Sequence, residues 1–324
     1  MFNNKRILIT GGTGSFGQQF VSDTLKKFKP KEIIVYSRDE MKQWFMLEKF
    51  KKYKNLKFTI GDIRDRDRLS ECSKGVDILI HAAATKIIPT AEINPEECIK
   101  TNINGAQNVI YSAKLNKIKK IVALSTDKAS NPINLYGATK LASDKLFISA
   151  NFSTNNQSKF SIVRYGNVIG SRGSIIPFFL KIKEKNIFPI TNINMTRFFI
   201  TLSEAVKLVW LSCEKMVGGE IFVKKIPSLK IIDIAKAINS RAKFKIIGIR
   251  PGEKIHEQMI SVDDSYHTYE YKHYFKIIPQ ISNNKLKYIK GGKKVKKNFT
   301  YSSELNDEWM SIKKIKKIIN KYQK

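Results

Sequence analysis

The sequence predicts an α/β protein: a doubly wound parallel sheet, with a smaller substrate-binding region towards the C-terminus. Three observations carry that expectation. Short apolar runs alternate with helical stretches from residue 1 to about residue 170, the pattern of a parallel sheet covered on both faces. The first run, Arg6 to Thr10, passes at once into Gly11-Gly12-Thr13-Gly14-Ser15-Phe16-Gly17 and then into a helical stretch to about Phe28. The residues best suited to acid–base chemistry follow the carboxyl end of a later run, where open parallel sheets bind ligands.

Glycines at 11, 14 and 17 permit a tight turn, close approach of a pyrophosphate, and close strand–helix packing, while the helix N-terminus offers free N–H groups. The expected domain is therefore Rossmann-type, with Gly11, Thr13, Gly14, Ser15, Phe16 and Gly17 around the phosphates of a dinucleotide. The second run, Glu32 to Tyr36, ends in Ser37-Arg38-Asp39. An acidic residue here suits the ribose hydroxyls of NAD, whereas Arg38 beside Ser37 suits a 2′-phosphate and favours NADP. The alternative leaves Arg38 as a surface charge and gives the ribose to Asp39. The third run, Leu56 to Ile60, leads to Gly61-Asp62-Ile63; Asp62 suits a hydrogen bond to adenine or the cap of a helix beginning near Arg64. The fourth, Val76 to His81, opens into Ala82-Ala83-Ala84, small enough for a cofactor to lie against the backbone. Ile121 to Leu124 is the fifth and Phe160 to Tyr165 the sixth. Beyond Gly170 the alternation weakens, and Gly218-Gly219, Pro227, Pro251-Gly252 and Gly291-Gly292 punctuate shorter elements. The expected division is a cofactor domain over 1–170, holding the catalytic residues, and a substrate region over 171–324 that is free to interleave with it.

The fifth run is followed by Ser125-Thr126-Asp127-Lys128, and eight residues later comes Tyr136-Gly137-Ala138-Thr139-Lys140. On a helix, Tyr136 and Lys140 share a face one turn apart. A free phenol has a pKa near ~10, and a neighbouring cation lowers it, giving a general base for an alcohol proton. Tyr four residues before Lys is common by chance; the glycine loop gives the pair its weight. Asp127 and Lys128 add a second acid–base pair that simple alcohol oxidation does not need; otherwise they are a surface ion pair after a strand.

The formal net charge is +31, and only ten of the 59 basic residues are arginine. Lysines spread along the chain among many Asn and Ile fit a compositional bias better than a nucleic-acid groove, where arginine is expected. The densest cluster, Lys313, Lys314, Lys316 and Lys317, falls on a stretch with Ile312, Ile315, Ile319 and Tyr322 at helical spacing: a surface helix with an apolar seam. No apolar run is long enough to span a membrane, and no signal peptide is expected. Cys72, Cys98 and Cys213 lack metal spacing and read as reduced residues of a cytoplasmic protein. No metal, nucleic-acid or membrane partner is expected.

Several segments resemble the extended short-chain dehydrogenase/reductases, and within them the soluble inverting UDP-N-acetylglucosamine 4,6-dehydratases that begin pseudaminic acid synthesis. They are Ile9 to Gly17, Tyr36 to Glu40, His81 to Ala84, Leu124 to Ala129, Asn134 to Lys140, Arg164 to Val168, Met195 to Phe198 and Gly248 to Lys254. The membrane-anchored members usually carry Met at the position of Tyr136. The resemblance implies NADP, a UDP-sugar substrate, a homo-oligomer, and a cycle in which Tyr136 with Lys140 takes the C4 hydroxyl proton, Lys128 takes the C5 proton and Asp127 protonates the departing C6 hydroxyl. A lysine base must be neutral, while Asp127 raises its pKa; burial and Lys140 act against that, and Tyr136 is an alternative at C5. Thr126 would position the C4 oxygen or simply make a turn. Lys86 would line the sugar site or be solvated. Asn167, Arg197, Arg250 and Glu253 resemble nucleotide-sugar contacts, and Asn102 a buried amide fixing a loop. Thr85, Ile87, Asn192 and Lys224 depart from the family pattern without removing a catalytic group. A C5-retaining dehydratase, a 4-epimerase and a non-catalytic NADP-binding scaffold are the competing readings.

Overall fold

The computed structural model describes residues 1–153, 157–170, 174–282 and 285–323. Seven parallel strands form its centre: β1 (Arg6–Thr10), β2 (Glu32–Ser37), β3 (Leu56–Ile60), β4 (Ile78–His81), β5 (Lys120–Leu124), β6 (Lys159–Arg164) and β7 (Ile221–Lys224). Three antiparallel strands extend one edge: β8 (Thr268–Glu270), β9 (Tyr274–Ile277) and β10 (Lys293–Lys294). The order across this ten-stranded sheet is β10-β8-β9-β7-β6-β5-β4-β1-β2-β3. The strand order reverses at β1 and β4, which opens a crevice at their carboxyl ends. The fold class is as expected from the sequence, and five of the six expected strands fall within a residue of their expected bounds. Ile7, Leu8 and Ile9 are fully buried, because strands covered on both faces need unbroken apolar runs. The fourth strand starts two residues late: Asp77 is held in a turn, its carboxylate accepting from Arg6 N at 2.9 Å.

The helices α1 (Ser15–Lys27), α2 (Glu40–Phe50), α3 (Arg66–Cys72), α4 (Gly105–Leu115), α5 (Leu135–Ala150) and α6 (Leu202–Lys215) follow in chain order. Between β4 and α4 lie two short helices, Ile88–Ile93 and Pro95–Ile99, and a π-helical turn, Lys100–Asn104. After residue 170 the chain returns to the main body: α6 packs on α1, with Trp210 Nε1 donating to Thr24 Oγ1 at 3.3 Å, and then leads into β7.

A second core gathers Ile176, Phe179, Phe188, Phe199, Ile234 and neighbours away from the large sheet. Helices Ile231–Ile238 and Ile312–Gln323 close it. On the last helix Ile315 and Ile319 are buried and Ile318 partly so, while Ile312 is 40% exposed. The seam thus starts one turn later than its spacing suggested; the side chain of Tyr322 lies outside the described residues. Among the described residues no helix is long and apolar enough to cross a membrane.

Candidate active site

A cleft of about 790 Å³ lies along the carboxyl ends of the central strands. At its phosphate end, Gly11 has φ +64°, a left-handed conformation that favours glycine. A Cβ on Gly17 would lie 2.2 Å from the carbonyl oxygen of Gly12, so only glycine lets α1 come this close to the turn. No side chain caps α1, and its first turn carries no acidic residue. Gly11, Thr13, Gly14, Ser15, Phe16 and Gly17 line the cleft with Ala82 and Ala83 opposite, and added bulk at Gly11 would strike the Ala83 backbone at 2.8 Å. This cradle of small residues at an open helix N-terminus fits a dinucleotide pyrophosphate.

The adenosine end separates two expectations. Asp39 is the N-cap of α2, accepting from Lys42 N at 2.9 Å and pairing with the Lys42 ammonium. Arg38 is 68% exposed and 3.7 Å from Asp62. Thr13 and Ser37 share a 2.8 Å hydrogen bond between hydroxyls. Asp62 does not cap the next helix; Asp65 does, accepting from Arg68 N at 2.9 Å. Asp62 instead holds Arg64 through its backbone N–H and its guanidinium. Burial favours protonation of Asp62, but those bonds from Arg64, with Arg38, keep its pKa below the usual value. Asp62 and Ile63 both line the cleft.

The reactive groups meet beyond β5. Asn134 caps α5, accepting from Gly137 N at 2.7 Å, so the stretch from Tyr136 to Lys140 sits in the first two turns of a sixteen-residue helix. Thr126 caps the short turn Asp127–Ala129, and its hydroxyl donates to Asp127 Oδ1 at 2.9 Å. Both readings of Thr126 are compatible, because the same side chain that makes the turn also acts on the Tyr136 phenol. Burial pushes the phenol up to about 12, against the opposing effects of Lys128 and Thr126. Burial likewise lowers the pKa of Lys140, against the pull of Asp144 and Cys98. Lys128 thus favours the phenolate.

Lys128 Nζ is 3.0 Å from Asp127 Oδ1 and also 3.0 Å from Glu257 Oε1, a residue the sequence analysis did not single out. Burial disfavours its cation, yet the two carboxylates win and raise its pKa. Burial, with Glu257 adding, pushes Asp127 up despite the attraction of Lys128. Burial acts the same way on Glu257, but Lys128 and Arg197 outweigh it and hold that carboxyl below its ordinary value. One carboxyl is thereby inclined to keep a proton and the other to lose it. Arg197 sits behind this cluster and is not among the cleft-lining residues. Its guanidinium donates to the carbonyls of Lys254, Ile255 and Thr196, and stands 3.6 Å from Glu257. The expected pyrophosphate contact is corrected by that geometry, since those donors are already engaged.

Lys86, Asn167, Arg250 and Glu253 do line the cleft. Arg250 and Glu253 face each other in a forked pair, with Nε to Oε2 at 2.9 Å. Their loop is stitched to the catalytic segment: Asn134 Nδ2 donates to Gly252 O at 2.7 Å and Lys254 Nζ to Ser130 O at 2.8 Å. Asn102 is buried, with both amide atoms on the Thr85 backbone and Nδ2 also on Thr139 Oγ1, which fixes the post-β4 loop to α5.

A model of the polysaccharide biosynthesis protein family matches residues 7–279. The chain belongs to that family. An inverting UDP-N-acetylglucosamine 4,6-dehydratase of Campylobacter jejuni is 54% identical, over 99% of this chain and 98% of its own. A protein of Rickettsia bellii named UDP-glucose 4-epimerase is 41% identical, over 98% and 96%. The X-ray structure of Pen from Bacillus thuringiensis superposes with a TM-score of 0.91 at 36% identity, covering 100% of this chain and 99% of that one. Within the polysaccharide biosynthesis family, then, this chain is similar both to a dehydratase and, more distantly, to a protein named as an epimerase.

Proposed function

We propose that this chain is a nucleotide-sugar 4,6-dehydratase that inverts C5, acting on UDP-N-acetylglucosamine with NADP. The product would be UDP-2-acetamido-2,6-dideoxy-β-L-arabino-hexos-4-ulose, the first step towards pseudaminic acid. The observation that carries this reading is the Asp127–Lys128 pair, 3.0 Å apart in the same cleft as Tyr136. Chemistry at C4 alone needs a single base; elimination across C5 and C6 needs a further base and a further acid.

A nicotinamide cofactor held by the Gly11–Gly17 turn would supply a hydride acceptor for C4 and a hydride donor for C6. Tyr136 takes the C4 hydroxyl proton, with Lys128 and Thr126 favouring the phenolate. Lys128 takes the C5 proton, made acidic by the C4 carbonyl. Asp127 gives its proton to the C6 oxygen, which leaves as water. One proton to C5 from the opposite face balances the one held by Tyr136 and inverts that carbon. Arg38 with Ser37 favours NADP over NAD, because Asp39 is engaged at the N-terminus of α2. Arg250 and Glu253 are placed to receive the UDP portion.

The deciding experiment is proton NMR of the purified protein with UDP-N-acetylglucosamine in D2O. The expected result is a 4-keto-6-deoxy sugar of L-arabino configuration with deuterium at C5. A D-xylo product would overturn the inversion. A product changed only at C4 would make the chain an epimerase and leave Asp127 and Lys128 without this role.

A further inference from the structure

Lys128 can serve as a base only after it loses its own proton, and nothing in the cycle above says where that proton goes. Asp127 is a poor receiver, because it must already be protonated when the C6 oxygen departs. Glu257 is the other group in reach. It is 2% exposed, its Oε1 lies 3.0 Å from Lys128 Nζ, and its Oε2 is a buried oxygen with no hydrogen-bond partner. It is held rigidly: its N–H donates to Ser303 Oγ at 2.9 Å, its carbonyl accepts from Ser303 N at 2.8 Å, and Arg197 Nε stands 3.6 Å from Oε1. It does not line the cleft, so it reaches the substrate only through Lys128.

We propose that Glu257 is the proton store of Lys128, a positioning residue that accepts the proton Lys128 must shed and later returns it. The inference rests on the dehydratase reading above. The resting cluster is a Lys128 ammonium, a Glu257 carboxylate and a protonated Asp127. One proton crosses from Nζ to Oε1, leaving a neutral amine and a neutral carboxyl; burial lessens the cost, because a low-dielectric site disfavours both charged forms. Lys128 then takes the C5 proton and becomes the ammonium again, and Asp127 loses its proton to the departing water. Glu257 now gives up its stored proton, and Lys128 relays it to Asp127 Oδ1, 3.0 Å away on its other side. Two protons are on the cluster at the start and two at the end. The charged and titratable groups acting on Lys128 are Asp127 on its own turn, Glu257 and Lys254 from the 250–257 loop, Arg197 from the strand Thr196–Ile200, and Tyr136 from α5. Arg197 favours the ionised form of Glu257, which ensures that the proton is returned.

Glu257→Gln keeps the shape and removes the acceptor. The expected result is a dehydration kcat lowered ~10–100-fold at neutral pH, the scale of loss for a displaced or disarmed catalytic partner. KM and NADP affinity should stay within about twofold. The rate should climb with pH in the variant, because solvent must now take the Lys128 proton, where the wild type stays level; Glu257→Asp should recover part of the loss. A second readout needs no turnover. In the free protein labelled with 15N-lysine, the Lys128 ammonium, assigned by its absence in Lys128→Met, should titrate at lower pH in Glu257→Gln than in the wild type. An unchanged titration together with a pH–rate profile parallel to that of the wild type would overturn the proposal and leave Glu257 a structural anchor. If the wild type dehydrates no nucleotide sugar, the dehydratase reading fails on its own, while the lysine titration still reports whether Glu257 governs Lys128.

Discussion

Lys128 has two carboxylate oxygens at 3.0 Å and Tyr136 within electrostatic reach, so in the proposed cycle one side chain serves two steps. As a cation it favours the phenolate of Tyr136; as an amine it would be the base for C5. Lys128→Met should therefore damage both. Dehydration is expected to fall by ~10²–10⁴, the range for loss of a general acid–base group, with NADP affinity unchanged by calorimetry. An epimerase would lose only the share that Lys128 gives to the Tyr136 phenolate. Arg38 permits a cleaner test of the cofactor, being exposed and paired with Asp62 instead of with the Asp127–Lys128–Glu257 cluster. A hydrogen bond to a charged group contributes about 1.5–3 kcal/mol, so Arg38→Ala should weaken NADP binding by ~10–100-fold and leave NAD binding nearly unchanged. Equal losses for both dinucleotides would show that Arg38 does not meet a 2′-phosphate.

The turn between β1 and α1 and the loop at 250–257 show why some of the site could be read from sequence and some could not. The glycine turn is largely local: strand, turn and helix are adjacent in the chain, Gly14 and Gly17 meet the backbone of the turn itself, and only Gly11 and Gly12 reach beyond it, to Ala83 and Val35. Gly17→Ala should thus force α1 away from Gly12, whose carbonyl oxygen would be 2.2 Å from the new Cβ. Overpacking of this kind costs about 1–3 kcal/mol; both thermal stability and dinucleotide affinity should fall, measured by melting with and without NADP. Glu257 could not be read in this way. It reaches Lys128 only because Asn134 and Lys254 tie a distant loop to the start of α5, and no periodicity encodes that approach. Arg197 shows the converse. Its residue type suited a pyrophosphate, but its direction depends on which carbonyls the neighbouring loop presents. Asp62 misses the cap expected of it because the helix starts at Arg66, two residues later than its expected start, which gives the place to Asp65.

At the scale of the whole molecule, the large sheet carries the cofactor cradle and a second core stands beside it, closed by the C-terminal helix. Ile319→Ala should remove buried contacts from that second core at a cost of about 2–4 kcal/mol while leaving dinucleotide binding intact, a separation that melting and calorimetry would reveal. The net charge of +31 surrounds both parts. Its lysines are mostly exposed and scattered, so they act as a field more than as a site. A field of one sign speeds the arrival of oppositely charged ligands and is screened over about 10 Å at 0.1 M salt. Contacts inside the cleft are shielded from that screening. The two contributions therefore separate in kinetics. In stopped-flow binding of UDP-N-acetylglucosamine, the association rate should fall several-fold between 0.02 and 0.2 M salt, with the dissociation rate much less affected. If dissociation rises instead and association stays level, the salt-sensitive charges are those touching the ligand, and the lysine-rich surface has no part in its capture.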